Sequence, residues 1–386
     1  MAQHLIINAR VIAPTVTYPC GWLLYNERQI LALGGGTAPR PDNTEIIDAQ
    51  GLTLLPGFVD VHVHGAMGYE AMDATTEALQ AMSRFYAQHG TTGYLPTTWT
   101  DTYERTFAAV EQITAQLGQQ PDGATILGVH LEGPYLNAKM CGAQNRQYIR
   151  RADRAEVAAW LDFGTTRLLA LAPEYEENLW LIEECARRGI MVSAAHTAAT
   201  YQQIKHAVSL GLAQTTHTYN AMTGLHHREP GVVGAAMTLR ELTCELIADN
   251  IHVHPASMQA LYLAKGADHI VLISDAIRGV GMPEGDYMID ERVITIKDGA
   301  PRLPDGTLSG TVLTMDRALY NFMQATGEPL DKIWKVSSLN AARQIGVSHQ
   351  TGSLEIGKHA DLVLVDDEIT IQRTIAQGRT VYQAMN

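Results

Sequence analysis

The sequence predicts an α/β fold, a (β/α)8 TIM barrel with a small β-sandwich domain formed from both chain termini. Three observations carry that expectation. The middle of the chain alternates eight short apolar runs with amphipathic helical stretches, the pattern of βα units around a parallel sheet. Both ends hold short runs of alternating apolar and polar residues, punctuated by Gly, Pro and Asn. Histidines and acids recur where the central apolar runs end, the position at which such barrels gather their functional groups.

Taken in order, LIINARVI, GWLLY, QILALG and TEIIDA supply strands for the N-terminal part of the sandwich, residues 1–54. The barrel is expected over 55–350. Its strand candidates are FVDVHVHG (58–65), TTGYLPTT (91–98), TILGVHLEG (125–133), LLALAPE (168–174), IMVSAAHT (190–197), QTTHTYNA (214–221), ELIADNIHV (245–253) and HIVLISDA (269–276). Helices are expected over 75–88, 101–117, 151–162, 175–188, 199–210 and 255–265, with 314–325 and 331–345 after the last strand. Segment 278–310 exceeds a tight connection and holds a hairpin candidate, YMIDERVITIKDGAPRLPDGT, so an insertion is expected near the active face. SLEIGKHADLVLVD and TIQRTIAQGRTVY resume the alternation, so 351–386 is expected to pair with the N-terminal strands.

Composition narrows the function. With 386 residues, 46% hydrophobic and 18% charged, the chain is neither disordered nor fibrous. Acids outnumber bases by 41 to 28, a net charge of −13, so there is no broad basic footprint for nucleic acid or an anionic membrane. An anionic substrate would need a local basic pocket. No apolar stretch approaches the roughly 18 residues of a membrane span, and MAQHLIINAR lacks the regions of a signal peptide, so a cytoplasmic location is expected. Cys20, Cys141, Cys185 and Cys244 form no Cys-x-x-Cys pair and are read as reduced.

The chemistry lies at the strand ends. His62 and His64 are two residues apart, so on a strand both imidazoles face one side and can reach one ion. Neutral imidazole suits Zn²⁺, with Fe²⁺, Co²⁺ or Mn²⁺ also feasible. Glu132, in HLEGP, has two oxygens and can bridge two ions, while His130 on the same side reads as packing. His196 and His217 end consecutive strands, and Asp275 supplies a further carboxylate, a ligand or a general base. A metal that lowers the pKa of water, beside such a carboxylate, fits hydrolysis of an amide. LHHREPG concentrates cationic groups, with Arg228 the natural anion clamp and His252 a donor to a substrate oxygen.

PGFVDVHVHG, GVHLEGPYLN, SAAHTAAT, THTYNAM, GLHHREPG, ADNIHVHP, SDA and GTLSGTVLTM together resemble the N-acetylglucosamine-6-phosphate deacetylases of the amidohydrolase superfamily, over nearly the whole chain. The resemblance implies metal binding by His62, His64, Glu132, His196 and His217, with two divalent metals, and Asp275 as the catalytic aspartate that also faces the metal. It implies substrate contacts from Gln144, Asn220, Ala221, Arg228, His252 and Leu308, the last in GTLSG. It further implies a homodimer in which His227 and Arg228 serve the neighbour's phosphate site. The activity implied is hydrolysis of the acetamide of an amino-sugar 6-phosphate by metal-activated hydroxide, with Gln144 helping to polarise or position the acetamide.

Three departures stand out. Asn250 replaces a usual glycine but tolerates a left-handed backbone. SDAIRGVGMPEG and MCGAQ differ from the family's usual eighth loop and basic run, which bear on sugar preference and on Gln144. Among the alternatives, amidohydrolases with a carboxylated lysine bridge are disfavoured because LLALAPE has no lysine. A silent barrel is disfavoured because no ligand is lost. The galactosamine epimer stays open.

Overall fold

The computed structural model describes residues 3–385. The central strands are buried throughout and rich in branched residues, as parallel strands covered on both faces must be. The first, Phe58–Val63, pairs in parallel with the second, Thr91–Pro96. The third, Val129–Glu132, begins a continuous parallel sheet. It runs through Thr166–Leu171, Met191–Ala194, Gln214–Thr215 and Thr243–Ile247 to the eighth strand, Ile270–Ile273. Backbone bonds link these two groups at both edges. The Thr98 amide donates to the His130 carbonyl at 3.0 Å, and the Asp275 amide donates to the His62 carbonyl at 2.9 Å.

The helices start where side chains can satisfy their free amides. Thr75, Thr102 and Asp153 cap Thr76–Gln88, Tyr103–Ala115 and Arg154–Leu161, and Thr200 and Gln203 form a capping box on Tyr201–Leu210. Glu176–Arg188 ends at Gly189 in the left-handed conformation.

The structure departs from expectation in four places. Several strands are shorter than their apolar runs, because the chain leaves extended geometry at His196, His217 and Asp275, whose φ values are +42°, +31° and +49°. The seventh strand ends at Ile247, so His252 belongs to the following loop and not to the strand. Gly231–Thr238 is a helix that the sequence does not announce. The expected 331–345 helix is broken into Leu330–Ile333, a 3-10 turn over Trp334–Ser337, and Leu339–Gln344, because Ser338 takes φ −147° and ψ −75°.

The insertion forms an antiparallel three-stranded sheet, Gly285–Ile289, Arg292–Lys297 and Ala300–Arg302. The two chain ends meet in one eight-stranded sheet. Its junction is the antiparallel pairing of Thr53–Pro56 with Leu362–Val365. Thr53–Pro56 runs across the expected boundary at 54/55. Ile6, Val11, Leu23, Ile30, Leu54, Leu362 and Leu364 form a buried cluster on this sheet. No helix among the described residues is long and apolar enough to cross a membrane.

Candidate metal centre and active site

Each functional side chain stands at or just beyond the C-terminal end of a parallel strand. His62 lies in the first strand and His64 follows it directly; Glu132 closes the third. His196, His217 and Asp275 each lie two residues past a strand, in the left-handed region that turns their side chains over the sheet. Non-glycine residues in that region carry backbone strain, and their clustering here marks a functional site.

Two triplets emerge, His62–His64–Glu132 and Glu132–His196–His217, each with ligand atoms within 4.8 Å of one another. Glu132 belongs to both. Its Oε2 lies 3.5 Å from His62 Nε2 and 3.3 Å from His64 Nε2, and its Oε1 lies 3.2 Å from both His196 Nε2 and His217 Nε2. Asp275 Oδ1 is 3.3 Å from His64 Nε2 and 3.6 Å from His62 Nε2. His130 is buried beneath, edge-on to His62 with ring centres 4.6 Å apart, and belongs to neither triplet.

Burial opposes charge on His62, but the neighbouring Glu132 and Asp275 carboxylates hold its imidazole well above its ordinary range. His64 is raised against burial by Asp275 and Glu132, and His217 by Glu132. Burial alone would raise Glu132, yet the surrounding imidazoles, His62 first, hold it well below the usual carboxylate range. His130 is pushed well down by burial, with His62 adding repulsion.

The donor set fits a divalent metal. It combines imidazole nitrogen and carboxylate oxygen, the donors that borderline divalent ions accept. His62 Nε2 and His64 Nε2, which face Glu132 and Asp275, are buried without a hydrogen-bond partner, atoms that a bound cation would satisfy.

A cavity of about 340 Å³ opens over this cluster, lined by His64, Glu132, Gln144, His196, His217, Asn220, Ala221, His252, Asp275 and Leu308, with Trp99, Lys139, Met140 and Thr307. The expected site residues are therefore brought together with two exceptions. His227 and Arg228 are exposed, outside the cavity lining, and paired with each other at 2.7 Å. His252 enters from its loop, its Nδ1 2.7 Å from Asp249 Oδ2. Asn250 has φ +64°, the left-handed conformation expected of it. Gln144 donates through Nε2 to Glu132 and accepts the Thr100 amide at Oε1.

Sequence reasoning missed Asp60, Trp99 and Glu245. Asp60 is fully buried and joins the first and eighth strands, accepting from the His62 amide and from the Ser274 hydroxyl. Desolvation pushes its carboxyl up to about 6. Trp99 stacks on His64 with ring centres 3.9 Å apart. Glu245, in the middle of an apolar strand, accepts from His62 Nδ1 at 3.1 Å. The signal for the two acids was available: a carboxylate inside a fully buried strand requires partners.

A parallel α/β sheet with imidazoles and carboxylates at its strand ends defines a class, the metal-dependent hydrolases. The chain belongs to the amidohydrolase family, whose model matches residues 53–381. Within it, the chain is 39% identical over 333 residues to the N-acetylglucosamine-6-phosphate deacetylase of Vibrio furnissii, covering 86% of this chain and 83% of that one. It is 36% identical over 361 residues to the N-acetylgalactosamine-6-phosphate deacetylase of Escherichia coli O157:H7, covering 93% and 95%. The structure superposes with a TM-score of 0.93 and 28% identity on a variant of the Mycobacterium smegmatis N-acetyl-D-glucosamine-6-phosphate deacetylase in complex with N-acetyl-D-glucosamine-6-phosphate, covering 99% and 100%.

Proposed function

We propose that the protein hydrolyses the acetamide of N-acetyl-D-glucosamine 6-phosphate, releasing D-glucosamine 6-phosphate and acetate, in amino-sugar catabolism. The observation that carries this reading is the pair of histidine triplets sharing Glu132, with Asp275 against one of them and a sugar-sized cavity above. Relatives of both epimer preferences exist; the glucosamine reading is favoured by the 39% identity to the Vibrio furnissii enzyme and the fit to the substrate-bound Mycobacterium smegmatis structure.

His62, His64, Glu132, His196 and His217 would hold two divalent metals, Zn²⁺ or Fe²⁺ by donor type, with Co²⁺ and Mn²⁺ as substitutes. Bound there, such a metal supplies carbonyl polarisation and acidifies water. Asp275 accepts the proton of the attacking water through a carboxylate oxygen. When the tetrahedral carbon collapses, Asp275 returns that proton to the departing amine nitrogen, so one group serves as base and then as acid. Gln144 holds Glu132 with one amide hydrogen and turns the other toward the acetamide oxygen. Asn220, Ala221, His252 and Leu308 seat the sugar. His227 and Arg228, exposed on their own chain, complete the phosphate site of a second copy in a homodimer.

We also infer that the eight parallel strands close into a barrel over about 55–350, supported by the Thr98–His130 and Asp275–His62 backbone bonds. The described parts of 1–54 and 351–386 then form a sandwich around the Ile6–Leu362 cluster. The free cysteines are compatible with a reducing cytoplasm. The reading is tested by incubating metal-loaded protein with N-acetylglucosamine 6-phosphate. Acetate and free amine should appear in equal amounts, and chelation should abolish both. Persistence of full activity after complete metal removal would overturn it.

A further inference from the structure

Glu245 belongs to neither triplet, yet it touches a histidine of each. It is fully buried in the seventh strand. Its Oε2 lies 3.1 Å from His62 Nδ1 and accepts the backbone amide of His217 at 3.3 Å; its Oε1 accepts Gln214 Nε2 at 2.6 Å. His62 belongs to one triplet and His217 to the other.

The chemistry of these contacts fixes proton positions. Backbone and side-chain amide nitrogens can only donate, so Oε2 is an acceptor toward His217 and Oε1 an acceptor toward Gln214. His62 Nδ1 must then carry the hydrogen. With Nδ1 so engaged, Nε2 is the nitrogen that faces Glu132 and Asp275, at 3.5 and 3.6 Å and without a hydrogen-bond partner, and it would be the ligand atom. A histidine ligand held in this way by a carboxylate keeps its ring orientation and gains basicity. The amide bond to His217 extends the effect. His217 has φ +31°, and Glu245 pins the backbone at that strained residue.

We propose that Glu245 is a positioning residue that sets the tautomer of His62 and the backbone of His217, and so couples the two metal positions. This rests on the metal-centre reading above, but not on the identity of the substrate. Glu245→Gln retains size and removes the obligate acceptor. Zn²⁺ affinity, measured by chelator competition on the full-length protein, should fall about 10- to 100-fold, while the thermal melting of the metal-free variant stays close to that of the metal-free parent. Unchanged Zn²⁺ affinity, or an affinity loss matched by equal destabilisation of the metal-free form, would overturn the proposal.

Because Glu245→Gln could fail to fold, a second measurement uses the parent protein. With histidine ¹⁵N-labelled and zinc-loaded, the His62 resonances, assigned by their loss in His62→Gln, should report a protonated Nδ1. A zinc-bound Nδ1 with a protonated Nε2 would contradict it. If Zn²⁺ binds as expected and no acetamide is cleaved, the substrate reading fails while this inference stands.

Discussion

At the residue scale, Asp275 and Glu132 both border the cavity beside imidazoles, but their contacts separate their roles. Glu132 is shared by both triplets, whereas Asp275 belongs to neither and lies against His62 and His64. Replacing Asp275 with Asn keeps the shape and removes the proton acceptor. Asp275→Asn should lower kcat about 100- to 10,000-fold with little change in substrate affinity, as read by steady-state kinetics and equilibrium binding. An unchanged kcat would remove Asp275 from proton transfer. The histidines of the two triplets were legible in the sequence because each sits in a short motif at the end of an apolar run. Glu245 and Asp60 were legible only as acids in need of partners, because which partners those are appears once His62 and Ser274 have been folded against them. LHHREPG marked Arg228 as a candidate anion clamp and the resemblance put it at a neighbour's phosphate site; on its own chain it is exposed, outside the cavity lining.

At the element scale, two candidate ligands, His62 and Glu132, lie in strands, and the other side chains of the cluster lie in the connections that follow strands. Strand existence could be read from apolar runs, but strand length could not. His196, His217 and Asp275 look like further strand residues in sequence, and only their left-handed backbone ends the extended geometry. The Gly231–Thr238 helix was missed because its residues through Ala236 are all buried, leaving no polar face and no helical period to detect. Gly310 shows how closely the loops are fitted. It has φ +56°, and a Cβ there would lie 2.5 Å from Ile277 Cγ2 and 2.8 Å from the Asp275 carbonyl. Gly310→Ala should cost about 1–3 kcal/mol in denaturant unfolding and also depress kcat by displacing Asp275. Parent-like stability and turnover together would mean that the segment yields freely.

At the scale of the whole molecule, the net charge of −13 repels a phosphorylated substrate unless local cations counter it. Lys139 lines the cavity, and the exposed His227–Arg228 pair stands apart from it. In the proposed dimer, Arg228→Ala should raise KM for the phosphorylated substrate about 10- to 100-fold, the scale of a lost charged hydrogen bond, and hardly affect unphosphorylated N-acetylglucosamine. Mixing Arg228→Ala with Asp275→Asn subunits should recover part of the activity, because a mixed dimer holds one site with both an intact Asp275 and an intact partner arginine. No recovery after verified subunit exchange would place Arg228 in its own chain's site or in none.

The most direct test of the central claim is acetate release by metal-reconstituted protein of measured metal content, with N-acetylglucosamine 6-phosphate, its galactosamine epimer and unphosphorylated N-acetylglucosamine compared side by side. The proposed function predicts the highest kcat/KM for N-acetylglucosamine 6-phosphate and the lowest for the unphosphorylated sugar. No acetate from N-acetylglucosamine 6-phosphate, with the metal centre filled, would contradict it.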